Sequence, residues 1–143
     1  MCIKCDELMV GDWVIDKRNI LRHITTVGKN YAFSIFEDKD ARTCFKDENV
    51  ELLPIPLTKE ILEKNGWEAH THFLPTLYEE SYLVKNNDNI HIEWKEGFLR
   101  VWFDFNPNDC VYADMFMPCK YVHKLQQALR LIGLKDEANN FKA

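Results

Sequence analysis

Two pairs of residues have the types and spacing of metal ligands. Cys2 and Cys5 are three positions apart, as in half of a zinc knuckle, and His70 and His72 would project two imidazoles from one face of a strand. Together they could supply four ligands to a zinc ion. The sequence has no second closely spaced cysteine pair that would make this pattern specific. We therefore predict no metal or other cofactor, and keep the Cys2/Cys5/His70/His72 site as an open alternative.

A second group of polar side chains lies near the end of the chain. His123, Gln126 and Gln127 fall within a predicted amphipathic helix, and an exposed histidine beside two amides could bind a ligand or act as a general acid or base. The sequence shows no motif that joins these residues to a Ser or Cys nucleophile in a catalytic set. We predict a binding site at these three residues, with an enzyme active site around His123 as an alternative.

Other catalytic and metal-binding patterns are missing from the sequence. Asp104, Asp109 and Asp114 offer oxygen ligands, but their spacing matches no calcium loop, and the segment 106–109 has the composition of a turn. There is no glycine-rich phosphate loop, dinucleotide fingerprint, nucleophile elbow or zinc-protease helix. These observations favour a protein that is not an enzyme.

The charge of the chain argues against a general nucleic-acid binder. The net charge is −5, and neither part is basic: residues 1–56 hold eight Lys/Arg and ten Asp/Glu, and residues 57–143 hold ten and thirteen. Binding to a phosphate backbone draws its affinity largely from clustered cations. Nucleic-acid binding through the N-terminal strands remains an alternative, and its contacts would be Lys17, Arg18, Arg22 and Lys29.

The cysteines and the hydropathy of the chain predict its environment. The five cysteines are odd in number and scattered, unlike a disulfide framework, which indicates reduced thiols and a cytoplasmic location. No apolar run approaches the ~18 residues that span a bilayer, so we expect no membrane partner. We predict instead an unidentified protein partner.

The first third of the chain has the pattern of a small antiparallel sheet. Short runs rich in β-branched and aromatic residues alternate with turn-forming segments, one of them the charged stretch 37–40. We predict a barrel-like subdomain over residues 6–53, with strands at 13–15, 20–27, 31–36 and 50–53. Its opening residues, Val10 to Val14, resemble the entry strand of the five-stranded barrels of KOW and Tudor domains.

The remainder of the chain predicts a meander flanked by helices. After Pro54 and Pro56, Thr58 can cap a short helix that Gly66 ends. An amphipathic helix closed by Gly133 follows the meander, and the polar tail from Lys135 is expected to fray. The predicted strands are 67–73, 77–84, 90–94, 98–105 and 110–117. The fold class is therefore α+β, with a second subdomain over residues 57–135; whether the two subdomains share one core stays open.

One predicted strand of the meander is unusually rich in aromatic residues. Residues 98–105 read Phe-Leu-Arg-Val-Trp-Phe-Asp-Phe, which favours a central strand buried on both faces. The alternative is that exposed residues of the hairpin 94–105 stack on nucleic-acid bases or on a partner.

Three signatures in fixed order resemble a known group of sequences. They are GDWV at residues 11–14, PIPLTxEILxKNGW at residues 54–67 and YVHxLQ at residues 121–126. Together they resemble a family of small hypothetical proteins of bacteria and phages, and the likeness extends from Glu7 to Leu134. The resemblance implies a compact intracellular protein encoded near mobile elements, and brings neither an activity nor site residues with it. We therefore predict a non-enzymatic intracellular interaction protein or accessory factor, with a mobile element as its context.

Overall fold

The computed structural model describes residues 2–29, 31–36, 39–46, 52–74, 77–87, 90–104 and 112–143. These residues form two five-stranded antiparallel sheets and a few short helices, which confirms the α+β class. The chain divides into two compact units. Unit 1 comprises Met1–Pro56 with Tyr121–Ala143, and unit 2 comprises Leu57–Lys120. No helix among the described residues is both long and apolar enough to cross a membrane.

The sheet of unit 1 is open. A 3₁₀ helix, Cys5–Glu7, precedes five strands in the order β4-β3-β2-β1-β5, and the described residues show no ladder that joins β4 to β5. The prediction of a barrel-like sheet is therefore wrong. The prediction of a turn over residues 37–40 is wrong at its second half, because Lys39 and Asp40 belong to β4. The strands are β1 Trp13–Asp16, β2 Leu21–Gly28, β3 Tyr31–Phe36, β4 Lys39–Lys46 and β5 Leu52–Leu53.

The core of this sheet is formed by alternate residues of its strands and by the N-terminal segment. Val14 and Ile24 are fully buried on β1 and β2, and the 3₁₀ helix contributes Cys5. Strands with one buried face require such alternation, because successive side chains point to opposite sides. The buried apolar cluster comprises Ile3, Cys5, Leu8, Val14, Ile24, Ala32 and Leu52.

Two C-terminal helices complete unit 1. Helix α2, Val122–Leu131, contacts β1, so the last helix belongs with the N-terminal sheet rather than with the meander with which we had grouped it. Its end is a Schellman motif: the amide of Gly133 (φ +89°) donates to Arg130 O, and that of Leu134 donates to Leu129 O. The following segment is not frayed, because it forms α3, Lys135–Asn139, and Phe141 beyond it is buried.

Unit 2 is the predicted meander. Its strands follow one another in space in the order β10-β9-β8-β7-β6. Helix α1, Lys59–Lys64, is capped by the Thr58 hydroxyl, which accepts from the Ile61 amide, and Gly66 (φ +78°) follows its end as predicted. The strands are β6 Glu68–Leu74, β7 Leu77–Asn87, β8 Ile90–Lys95, β9 Phe98–Asp104 and β10 Tyr112–Pro118.

A tight turn between β8 and β9 sets the faces of this sheet. Glu96 (φ +47°) and Gly97 (φ +85°) both have positive φ, as the two-residue hairpin turn of type I′ requires. The turn pairs Lys95 with Phe98 and Glu93 with Arg100. One face therefore carries the buried residues Ile92, Trp94, Leu99 and Val101, and the other carries His91, Glu93, Lys95, Phe98, Arg100 and Trp102.

Candidate functional site

A buried ion pair joins the turn before β1 to helix α2. The Asp12 carboxylate is completely buried, and its Oδ1 accepts from Arg130 Nη1 at 2.5 Å. Its Oδ2 accepts from the Met9 amide at 2.9 Å and from Gln127 Nε2 at 2.8 Å. Burial raises the pKa of Asp12, and the hydrogen bonds from Arg130, Met9 and Gln127 oppose that rise. Both oxygens of this carboxylate are engaged within the protein.

Gln126 links the same two elements through its amide. The side chain is fully buried: its Oε1 accepts from the Trp13 amide at 2.9 Å, and its Nε2 donates to Gly11 O at 2.9 Å and to Ala138 O at 3.0 Å. The Trp13 indole donates to Phe141 O at 2.8 Å. One amide thus satisfies three backbone groups, none of which is near it in sequence. Gln126 was predicted as a binding residue on an exposed helix face; that exposure is wrong, and the residue holds unit 1 together.

Gly11 makes room for this network. Its φ of +91° is unfavourable for other residues, and a Cβ placed there would lie 2.7 Å from Arg130 Nη2. The residues of two of the sequence signatures, GDWV and YVHxLQ, therefore meet in space. The contacts between them hold helix α2 against the start of the sheet, which gives both motifs a structural role.

His23 lies beside this network on β2. Its ring stacks on that of Trp13, opposite it on β1, with centroids 4.5 Å apart. Burial lowers the pKa of His23, and the nearby Arg130 charge lowers it further, whereas Asp12 and the Gly11 backbone act in the opposite sense. The cluster of Asp12, His23 and Arg130 was missed from the sequence, because Arg130 lies more than a hundred positions after the other two.

His123 is buried instead of lying on an exposed face of α2. It is 2% exposed, its ring stacks on Tyr121 with centroids 6.0 Å apart, and its Nδ1 has no hydrogen-bond partner among the described residues. Burial lowers its pKa to about 4, and Lys124 adds to the effect. The expectation of an exposed histidine was wrong, because α2 is packed over more of its surface than its apolar stripe indicated. Gln127 is partly buried and also donates to Glu7 O.

The basic residues predicted to contact nucleic acid do not form one surface. Arg22 is completely buried and donates through Nη2 to Asp16 Oδ2 at 2.7 Å, so its assignment as a surface contact is wrong. Lys17 and Arg18 are exposed in the turn before β2, and Lys29 is exposed in the turn after it. The strand between these turns places them ~25 Å apart.

The predicted metal ligands are not gathered into a site in the part of the chain that the structure describes. Cys5 is buried and Cys2 is exposed, whereas His70 lies half-exposed on β6 of unit 2. The side chain of His72 lies outside the described residues. Among the residues that are described, no three His, Cys, Asp or Glu side chains are grouped so that they could hold a metal ion.

The side chains of the second set of possible metal ligands lie outside the part of the chain that the structure describes. Asp109 and the side chains of Asp104 and Asp114 lie outside the described residues. The sequence expectation of a turn at 106–109 falls outside them as well.

Unit 2 presents a group of aromatic and cationic side chains on one face of its sheet. We call His91, Phe98, Arg100, Trp102 and Phe116 the aromatic face. The rings of Phe98 and Phe116 stack with centroids 5.1 Å apart and planes 7° apart. The ring of His91 stacks on Trp102 at 5.3 Å, and the Arg100 guanidinium carbon lies 5.4 Å from the Trp102 ring centroid. These stacks hold the rings in place on β8, β9 and β10.

The Phe98–Phe116 pair is open to solvent. Phe116 is 69% exposed and Phe98 is 40% exposed, although both are large apolar side chains. They border a cleft of about 230 Å³ whose lining mixes apolar and charged groups. Among the described residues of unit 1, the large apolar side chains that are exposed are aliphatic: Met9, Val10 and Leu131. The residues that line the cleft are Glu93, Lys95, Glu96, Phe98, Arg100 and Phe116.

The aromatic face corrects the prediction that β9 is buried on both faces. Leu99 and Val101 are completely buried, but Phe98, which precedes Leu99, and Arg100, which lies between the two, are exposed. A signal for this was present in the sequence. The neighbouring strand β8 alternates His91, Glu93 and Lys95 with apolar residues, which marks the face that these residues share with Phe98 as the more polar one, although Glu93 itself is buried.

No protein-family model matches the chain, and neither a curated protein nor a solved structure is significantly similar to it. The resemblance to the bacterial and phage-borne family therefore stays a prediction.

Proposed function

We propose that the protein is a non-enzymatic interaction protein that binds a protein partner through the aromatic face of unit 2. The observation that carries the proposal is the exposed, stacked pair of Phe98 and Phe116. Exposed aromatic clusters rimmed by charged residues are typical of protein-binding surfaces. Covering a ring of this size stabilises a complex by about 2 kcal/mol, which is more than about tenfold in Kd.

The charge of unit 2 favours a protein over a nucleic acid as the partner. Leu57–Lys120 contains six Lys/Arg and eleven Asp/Glu, so the whole net charge of −5 falls within this unit. Aromatic rings can stack on bases, but single-stranded nucleic acids also require a positive groove along their backbone. Arg100 and Lys95 stand beside Glu93 and Glu96 in the cleft and do not form such a groove.

The buried groups of unit 1 do not support the enzyme alternative. His123 is 2% exposed, and the low pKa that burial gives it keeps it neutral at pH 7. Asp12 is fully buried, with both oxygens bonded. A general acid or base must come within hydrogen-bond reach of the substrate, and these groups are enclosed by the protein.

The wider role that we propose is that of a cytoplasmic accessory factor of a mobile element. The resemblance of the three signatures to phage-borne proteins supports this role. The scattered, odd-numbered cysteines support a reducing compartment, and Cys2 and Cys119 are free thiols.

Affinity capture from an extract of the native cell tests the proposal. The bait would be the full chain, compared with the variants Phe116→Ser and Leu131→Ser. Leu131 is a matched control, because it is an apolar side chain of unit 1 that is 82% exposed. We expect a protein that is retained after nuclease treatment, is retained by Leu131→Ser and is lost by Phe116→Ser.

Other outcomes would contradict the proposal. A partner that disappears with nuclease would indicate nucleic-acid binding. A partner that Phe116→Ser retains as well as the original chain would show that the aromatic face is not the binding surface.

A further inference from the structure

Strand β10 is one edge of the sheet of unit 2. Among the described residues it pairs only with β9, through a continuous register from Tyr112–Asp104 to Pro118–Phe98. An edge strand directs every other pair of its backbone N–H and C=O groups away from the sheet, where another strand can pair with them. The opposite edge, β6, differs because helix α1 contacts it.

The exposed part of β10 lacks the features that usually protect an edge strand. Natural edges are commonly shielded by bulges, by charged residues, lysine above all, or by proline within the strand. The ladder with β9 has no register shift, the one charged residue of Tyr112–Pro118 is Asp114, and Pro118 lies only at the end. The successive residues Met115 and Phe116 are 37% and 69% exposed, and they point to opposite faces of the sheet. An added strand would therefore meet apolar surface on both of its sides.

We infer that the partner contributes an extended, positively charged segment that adds to the sheet as a sixth strand beside β10. This inference rests on the proposed function, because the same segment would cover the Phe116 ring. The charge of the occupant follows from the six Lys/Arg and eleven Asp/Glu of Leu57–Lys120. Pairing β10 with its equivalent in a second copy would bring two units of net charge −5 together, which opposes self-association.

Hydrogen exchange on the complex of the full chain with the captured partner tests strand addition. We expect the β10 amides to exchange at least about tenfold more slowly in the complex, because the outward N–H groups become hydrogen-bonded. The β6 amides, at the other edge of the same sheet, are the internal control and should keep their exchange rates. We also expect Kd to rise by about tenfold between about 50 mM and 500 mM salt, because the segment is basic.

Two substitutions at one position sharpen the test. Met115→Lys places a protective charge on the edge and repels a basic segment, so Kd should rise by about tenfold or more, whereas Met115→Leu should keep Kd within about twofold. If Phe116→Ser weakens binding but the β10 amides are not protected, the proposed function stands and strand addition is wrong. If Phe116→Ser has no effect, the proposed function itself fails. Protection of β10 by self-association, by an acidic partner or by an oligonucleotide would overturn the inference.

Discussion

In unit 1, Asp12 and Gln126 are buried and Arg130 is 10% exposed, and all three are bonded to one another or to the backbone, whereas in unit 2 the rings of Phe98 and Phe116 lie open to solvent. The two units also differ in net charge. Unit 1 contains twelve Lys/Arg and twelve Asp/Glu, so the whole net charge of −5 belongs to unit 2. Buried polar groups that satisfy one another specify a fold, but they are not available to a ligand. Exposed apolar groups are available, and they add little to the stability of the isolated chain. We therefore expect the network of unit 1 to carry stability, and we propose the aromatic face of unit 2 as the binding surface.

The largest effect should come from breaking the buried ion pair. Arg130→Met leaves the Asp12 carboxylate buried without its cation, so we expect the free energy of unfolding to fall by about 3–5 kcal/mol in urea denaturation. Arg18→Met is the matched control. Its side chain is 66% exposed and its Nη2 lies 3.6 Å from Asp16 Oδ2, and the loss of this ion pair should change stability by less than about 1 kcal/mol. Equal losses for the two variants would show that the network is not the stabilising feature.

The pH dependence of stability should reveal the buried histidine. Burial depresses the pKa of His123 from 6.5 to about 4, so between these values the unfolded state binds more protons and stability rises with pH. The contribution is fully present above pH 6.5, amounts to about 3 kcal/mol and is lost as pH falls towards 4. The raised pKa of Asp12 acts in the opposite sense, because stability falls as pH rises from 3.8 through the folded-state pKa.

Comparison of the original chain with His123→Leu isolates the histidine, because the Asp12 contribution is common to both. The difference in their free energies of unfolding should change by about 3 kcal/mol between pH 4 and pH 6.5. A difference that stays constant over this range would mean that His123 titrates as an exposed group.

A smaller loss should follow from filling the space at Gly11. Gly11→Ala combines a φ of +91° with a Cβ that would lie 2.7 Å from Arg130 Nη2, and should lower stability by about 2 kcal/mol or more. At Gly133 the φ is +89°, but an added Cβ would have no heavy atom of a described residue within 4 Å beyond its chain neighbours. Gly133→Ala should therefore lower stability by only about 1 kcal/mol. Thermal unfolding of both variants measures the difference, which reports the contacts of the added Cβ with Arg130 and, at 3.3 Å, with Asn139 Oδ1. Equal losses would mean that these contacts do not constrain the turn.

The smallest effect on stability should come from the aromatic face. Phe116→Ser removes a side chain that is 69% exposed, so we expect a change within about 0.5 kcal/mol in urea denaturation. Leu99→Ala, at a fully buried position of the adjacent strand, should lower stability by about 2–5 kcal/mol. A large loss of unfolding free energy for Phe116→Ser would show that the ring stabilises unit 2 itself, which would contradict its assignment as a binding residue.

The strands of unit 2 were predictable because their signals are local. Alternating apolar residues, the Glu96–Gly97 turn and the cap at Thr58 all act within a few residues, and the structure contains each of them. Strand β4 was missed for the opposite reason. The sequence of Lys39–Lys46 is largely polar, and it forms an edge strand through its pairing with β3.

The roles of the candidate site residues were less predictable, because they depend on contacts between distant parts of the chain. Gln126 meets Gly11 and Trp13, which lie more than a hundred positions earlier, so its burial has no local signal. Helical periodicity places His123 opposite the apolar stripe, yet it is buried. The exposure of Phe116 depends on β10 being an edge, which only the strand order shows.

The most direct test of the account is the Kd of the captured partner for the original chain, Phe116→Ser and Leu131→Ser, measured by calorimetry with purified proteins. Phe116 and Leu131 are both exposed apolar residues, but they belong to different units. The account predicts that Phe116→Ser raises Kd by about tenfold or more and that Leu131→Ser leaves it within about twofold. Equal values for all three proteins, or weakening by Leu131→Ser alone, would contradict the assignment of binding to unit 2.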